Sequence, residues 1–178
     1  MLADQCVVGF RALAASDLSL IHRWLNEPCV LKWYAKHSYS QSEVAAKYMP
    51  RIESRDSVQV FVAEVNREPV GLLQTYWLSS FIDYSALVGA GSGWAGVDFF
   101  IGESAYRGHG LGAKLLEQFV REEVFAARKA DTCVSGPSPN NVKSVRTLQR
   151  AAFTYLRTIE VSPGEVEHVM VRSSESAA

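Results

Sequence analysis

Gly96-Val97-Asp98-Phe99-Phe100-Ile101-Gly102-Glu103-Ser104-Ala105-Tyr106-Arg107-Gly108-His109-Gly110-Leu111-Gly112 is the stretch that decides how this chain is read. The β-branched and aromatic run Trp94 to Ile101 predicts a strand. A short connection follows, and a glycine-rich turn then opens a helix over Gly110 to Val124. Leu111, Leu115, Leu116, Phe119 and Val120 supply its apolar side. A strand, a Gly-rich turn and a helix N-terminus in that order form an anion cradle, because successive backbone N–H groups and the positive helix end converge on one spot. Gly108, Gly110 and Gly112 permit positive φ and a close ligand approach, and Arg107 adds a fixed charge. Gly108-His109-Gly110-Leu111-Gly112 is neither a P-loop, for which Gly-Lys-Ser/Thr would have to follow, nor the full dinucleotide-binding GxGxxG. A glycine-rich turn without a ligand stays open at this point.

Composition sets outer bounds. The chain has 178 residues, 48% hydrophobic, 21% charged and 11% aromatic, and a formal net charge of -1. This describes an ordinary globular domain with enough length to bury a core. Residues 1–172 read as one domain, and the small, polar tail from Ser173 to Ala178 is expected to fray. A balanced charge gives no general attraction for nucleic acid or anionic membrane. No apolar run is long enough to span a bilayer and the first residues carry no basic leader, so a cytoplasmic location is expected. Cys6, Cys29 and Cys133 lack ligand spacing; buried thiols in a reducing compartment are expected, with no metal site.

Outward from the central stretch, the chain reads as strands first and alternating helices and strands after. Cys6 to Arg11 is a first strand. Ser16 and Asp17 open a helix with Leu18, Ile21, Trp24 and Leu25 at helical spacing, and Pro28 either ends it or begins a second one. Ser40-Gln41-Ser42-Glu43 fits a capping box, and Pro50 should bend or end the helix that it opens. Ser57 to Val65 and Pro69 to Trp77 form a hairpin. Ser79 to Gly93 reads as a long loop. Thr132 to Ser135 is a short strand, Asn141 to Ala151 a helix, and Phe153 to Val161 and Glu167 to Arg172 are the last strands. An α/β (α+β) fold is expected, a mixed and mostly antiparallel sheet with helices on both faces.

Arg107-Gly108-His109-Gly110-Leu111-Gly112 resembles the R/Q-x-x-G-x-G/A signature of the GNAT superfamily of acetyl-CoA-dependent N-acetyltransferases. Trp24-Leu25-Asn26-Glu27-Pro28, Trp33-Tyr34, Gln74-Thr75-Tyr76, Gly96 to Gly102 and Gly136-Pro137-Ser138-Pro139-Asn140-Asn141 are similar to aminoglycoside 6'-N-acetyltransferases. The resemblance covers most of the chain. It implies a splayed parallel strand pair, Trp94–Ile101 and Thr132–Ser135, with the pantetheine arm of acetyl-CoA in the gap. Phe99, Phe100 and Ile101 would pair with that arm through their backbone, and an N–H there would polarise the thioester carbonyl. Gly108, His109, Gly110, Leu111 and Gly112, with Arg107, would hold the pyrophosphate. Asn141 would touch the coenzyme arm; a plain helix N-cap is its other reading.

Asp98 is the leading catalytic candidate. A carboxylate is disfavoured in mid-strand, and an amine must lose a proton before it attacks a thioester. An outward, solvated Asp or one paired with an Arg is the alternative. Trp33, Tyr34, Tyr76 and Asp83 are the acceptor-binding candidates, with ordinary packing as the other reading for the aromatics. Departures from the pattern are Leu148 at the place of a thiolate-protonating Tyr, Lys143 for Arg, Ala152 for Gly, and Gly136 for the acid that often precedes Pro-Ser-Pro. Tyr155 is a substitute acid or, more simply, a strand-core residue. The expected activity is direct acetyl transfer to a primary amine, with the 6'-amine of an aminoglycoside as the leading acceptor. The alternatives are another small amine or a protein N-terminus, or a non-catalytic acyl-CoA-binding module. Monomer and homodimer are both open.

Overall fold

The structure, a computed structural model, describes residues 6–174. The first five residues and 175–178, and with them most of the expected tail, lie outside the described residues. Ser173, where that tail was expected to begin, is instead the last residue of a strand. The strands are β1 (Val8–Ala12), β2 (Gln59–Val65), β3 (Glu68–Trp77), β4 (Trp94–Ile101), β5 (Thr132–Ser135), β6 (Thr154–Ser162) and β7 (Glu165–Ser173). They are hydrogen-bonded in the order β1-β2-β3-β4-β5-β7-β6. The helices are α1 (Leu18–Leu25), α2 (Pro28–Val30), α3 (Gln41–Ile52), α4 (Ile82–Val88), α5 (Leu111–Phe119) and α6 (Val142–Arg150). Contacts divide the described residues into two compact units. The first runs up to Gln74 and includes Phe99–Gly112; the second holds Thr75–Asp98 and everything from Ala113 on.

In the first unit, β1 pairs antiparallel with β2 from Val8↔Val65 to Ala12↔Phe61. β2 and β3 are joined by Asn66 and Arg67, both with positive φ, the backbone that a two-residue hairpin requires. Arg11 leaves β1 to grip Asp17 with both guanidinium arms, at 2.7 and 2.9 Å, and Asp17 also accepts from the Ala14 N–H. Ile21, Trp24 and Leu25 of α1 are fully buried, following the helical spacing. Pro28 begins a helix rather than ending one: Glu27 caps it by accepting from the Cys29 N–H at 3.2 Å, and it continues as π-helical turns over Leu31–Ala35. The Ser40/Glu43 capping box forms as read. Pro50 neither ends α3 nor stops it short; the helix runs on to Ile52. Cys29 is exposed, against the expected burial, because it sits in the first turn of α2 with Val30 taking the inward position.

In the second unit the loop expected over 79–93 is largely helical. A 3-10 turn over Leu78–Ser80 leads into α4, and Gly89, with φ +72°, ends it by donating to the Ser85 carbonyl. Leu78 and Val88 hold this segment down: both are fully buried in a core with Val134, Ile159 and Val169. Of the serines that suggested a loop, Ser79, Ser80 and Ser92 are exposed. Leu115, Leu116, Phe119, Val120 and Val124 form the buried side of α5 and of the π-helical extension that carries it to Ala127. β5 pairs parallel with β4 and antiparallel with β7, and β6 closes that edge on β7. Tyr155 is 55% exposed on edge strand β6, so it is not a strand-core residue. Among the described residues no helix is long and apolar enough to cross a membrane.

Hydrogen bonds from Arg11, above all, hold the Asp17 carboxyl below its ordinary value of 3.8. The stability this gives is complete above that value and is lost as pH falls through the lower folded value. Asp17→Asn should therefore cost about 1–3 kcal/mol at neutral pH. It should also flatten the fall in stability below pH ~4, as read by urea titrations across pH.

Candidate active site

β4 carries Asp98, the leading catalytic candidate of the second unit. Gly96 and Asp98, two residues apart, share one face of the strand. A Cβ on Gly96 would come 2.4 Å from a Tyr76 ring carbon and 2.9 Å from its hydroxyl, so the tyrosine ring lies directly on the bare Cα. From that seat the Tyr76 hydroxyl hydrogen-bonds Asp98. Burial first, and then the Asp98 charge, push the Tyr76 phenol well above its ordinary range, so it stays protonated and donates. The ring also meets Phe81 edge-on, with centroids 4.8 Å apart.

A second tyrosine and a second carboxylate join the same cluster. Tyr84 of α4 donates to Glu167 of β7 at 3.1 Å. Burial, then the Glu167 charge, push Tyr84 up as well, and Tyr84 feels Asp98 in addition. A Cβ on Gly136 would lie 2.2 Å from a Glu167 carboxylate oxygen and 2.6 Å from the Tyr84 hydroxyl. Tyr76 and Asp98, both sequence candidates, are together here; Tyr84 and Glu167 were not among those candidates. The neighbouring candidate, Asp83, is exposed in the first turn of α4. The only hint was Gly136 standing where an acid was expected.

Other second-unit residues have settled roles. Asn141 is the N-cap of α6, accepting from the Ser144 N–H at 3.2 Å. Leu148 is fully buried. Trp77 is stacked by the Arg128 guanidinium at 5.3 Å, and burial lowers the pKa of that arginine. Burial pushes the Cys133 thiol up, as expected of a core cysteine. The parallel ladder runs only from Trp94↔Thr132 to Gly96↔Val134, so it stops while β4 has five residues left to run. Among the described residues no group of three or more His, Cys, Asp and Glu is placed to hold a metal ion.

In the first unit, the glycine turn takes the conformation that its composition demands. Gly108 and Gly110 have φ of +86° and +80°, and a Cβ on either would meet nothing within 4 Å. His109 is exposed between them and Leu111 begins α5 with Gly112 behind it. Arg107 does not extend toward the turn's open side. It donates to the carbonyls of Ile101 at 2.9 Å and Gly102 at 2.7 Å and pairs with Glu27 at 2.8 Å. Glu103 is held by Arg23 and by the Trp24 indole N–H, and Gly102 has no Cβ because the Trp24 ring would be 2.2 Å from it. Phe100 points into the core, edge-on to Tyr34 at 4.8 Å and to Trp24 at 6.3 Å. Phe99 is half-buried. Trp33 carries Lys32 over its ring at 4.8 Å.

The model of the acetyltransferase (GNAT) domain matches residues 14–161. The chain belongs to the GNAT acetyltransferase family. Curated relatives include aminoglycoside N(6')-acetyltransferase type 1 of Klebsiella pneumoniae and of Serratia marcescens. Each is 25% identical over 174 residues, spanning 92% of this chain and 82% of the relative. Among solved structures, aminoglycoside acetyltransferase AAC(6')-Ib in complex with coenzyme A and kanamycin is 26% identical. It covers 94% of this chain and 95% of its own, with a TM-score of 0.78.

Arg107→Ala withdraws the donor from two carbonyls and the partner from Glu27. It should cost about 1–3 kcal/mol in a urea titration, and Arg107→Lys should recover little, since an ammonium cannot reproduce the planar fork.

Proposed function

We propose that this chain transfers the acetyl group of acetyl-CoA directly to a primary amine, and that the acceptor is the 6'-amine of an aminoglycoside. The reading draws on the family, on the named ligands of its relatives, and above all on Asp98 held by Tyr76 over the bare Cα of Gly96. Asp98 takes the proton of the acceptor ammonium or anchors it. The amine lone pair then forms a C–N bond at the thioester carbonyl, the C–S bond breaks, and the thiolate collects the second proton that the nitrogen sheds as it becomes an amide. With Leu148 buried at the place of a Tyr acid, no strong acid is needed: a thiol of pKa ~8.5 leaves readily.

The coenzyme is a substrate, and the turn suits its diphosphate. Both positive-φ glycines present open space, which favours close backbone approach. In this reading the amides of Gly108, His109, Gly110, Leu111 and Gly112 hold the pyrophosphate, and the backbone of Phe99, Phe100 and Ile101 pairs with the pantetheine arm. Arg107 acts by bracing the turn. The Asn141 carbonyl oxygen caps α6, which leaves its amide N–H₂ for the arm. Trp33 and Tyr34 of the first unit, and Tyr76 and Asp83 of the second, are the acceptor-binding candidates of this reading, and the enzyme works in the cytoplasm.

Thiol release from acetyl-CoA should be rapid with kanamycin or tobramycin and absent with 6'-hydroxyl analogues. Release only with other primary amines would move the proposal to a different acceptor, and tight coenzyme binding without turnover would reduce the chain to a binding module. Asp98→Asn should lower kcat about 100-fold or more while leaving the acetyl-CoA KM within about twofold. Gly110→Val forces a β-branched residue into positive φ and should raise the acetyl-CoA KM about tenfold. An unaltered KM would remove the cradle from the scheme.

A further inference from the structure

Glu167 shares a cluster with Asp98, yet the proposed transfer does not use it. It belongs to β7, a strand paired on both sides: Glu167 itself is opposite Ile159 of β6, and Val171 and Met170 face Val134 and Ser135 of β5. The next residue, His168, donates its N–H to the Pro137 carbonyl at 2.9 Å, which lays this part of β7 alongside Gly136-Pro137. The carboxylate then lies over Gly136 so closely that any Cβ there would be 2.2 Å from it. Tyr84 holds it at 3.1 Å, and Tyr84 and Tyr76 each feel both Asp98 and Glu167. Two carboxylates thus share one cluster, each tied to a tyrosine hydroxyl, with a bare glycine making space for the Tyr76 ring in one case and for Glu167 itself in the other. Like charges brought together in a half-buried place repel, and a cationic ligand relieves that repulsion.

We infer that Glu167, fixed by Tyr84 over Gly136, is a second anionic contact for the acceptor, so that the site selects amines carrying a further ammonium besides the one acetylated. This rests on the acetyl-transfer reading and narrows it: a polycationic acceptor is favoured over a single amine. Asp98 meets the reacting nitrogen. Glu167 meets the other cation and acts on recognition, not on bond making. Gly136 is the residue that grants Glu167 its place.

The test compares kanamycin with a single-amine acceptor, 6-amino-6-deoxyglucose, across wild type, Glu167→Gln, Gly136→Asp and the double variant Gly136→Asp/Glu167→Ala, in which the space over residue 136 is vacated. Glu167→Gln should raise the kanamycin KM about tenfold with kcat within about threefold, and leave the single-amine KM unchanged. It should also weaken the salt dependence of kanamycin kcat/KM. Gly136→Asp alone puts two carboxylates in one space and should lose acceptor binding. The double variant, which brings the charge from β5's end instead of β7, should restore the kanamycin KM to within about threefold of wild type. An unchanged ratio of the two acceptors in Glu167→Gln, or an equal loss for both, overturns the inference while acetyl transfer stands. If wild type transfers to no amine, calorimetry with kanamycin decides. Binding that weakens about tenfold in Glu167→Gln keeps Glu167 as a cation contact and discards the transferase reading; no binding overturns both.

Discussion

A phenol hydroxyl donating to a mid-strand carboxylate is the interaction from which the second unit is best understood. Asp98 is costly where it stands, since a strand residue half out of water needs a partner for its charge. Tyr76 supplies that partner, and it reaches Asp98 only because Gly96 leaves the strand face bare for its ring. The order Gly-Val-Asp is thus a seat, a buried spacer and a charge. Val97, fully buried on the other face, fixes which way the flanking residues point. A related device recurs with Tyr84 of α4, Glu167 of β7 and Gly136 just past the end of β5, where the glycine makes room for the carboxylate.

The first unit solves a different problem, that of holding a glycine-rich turn whose residues have little intrinsic preference for one conformation. Its answer is a cationic brace. Arg107 links the turn to the end of β4 through two carbonyls, and Glu27 neutralises the arginine while capping α2. Asn26, next to it, ties α1 to the chain before α3: its side chain exchanges hydrogen bonds with the Tyr39 backbone, at 2.8 and 3.0 Å. The Trp24-to-Pro28 motif therefore works as scaffolding. Trp24 fills the core and orients Glu103, and Gly102 makes room for its ring.

Much of this was legible in the sequence. β4 and β5 fall where their β-branched and aromatic residues predict, the Ser40/Glu43 box caps α3, and Gly108 and Gly110 have positive φ, whereas Gly112 lies within α5. These signals are local, and local chemistry survives folding. What escaped the sequence reading depends on tertiary placement. α4 holds one serine, one alanine and the exposed Ile82 and Leu87; the burial of Leu78 in the turn before it and of Val88 at its end anchors this segment as helix instead of loop. Tyr155 has a strand pattern, but an edge strand exposes what a central one would bury. Glu167 lies 83 residues from Tyr84, and nothing in either neighbourhood announces the other. The glycine at 136 was the visible half of that pair, since it read as a charge lost when the charge had come from another strand.

Strand length decides where this pair of acids stands. β5 runs between β4 and β7 but is only four residues long; its rungs end at Gly96↔Val134 on one side and at Ser135↔Met170 on the other. Asp98 and Glu167 each lie past the last rung, on the two strands that flank the point where the middle one gives out. A short central strand thus has a use: it ends the pairing where its neighbours carry their charges.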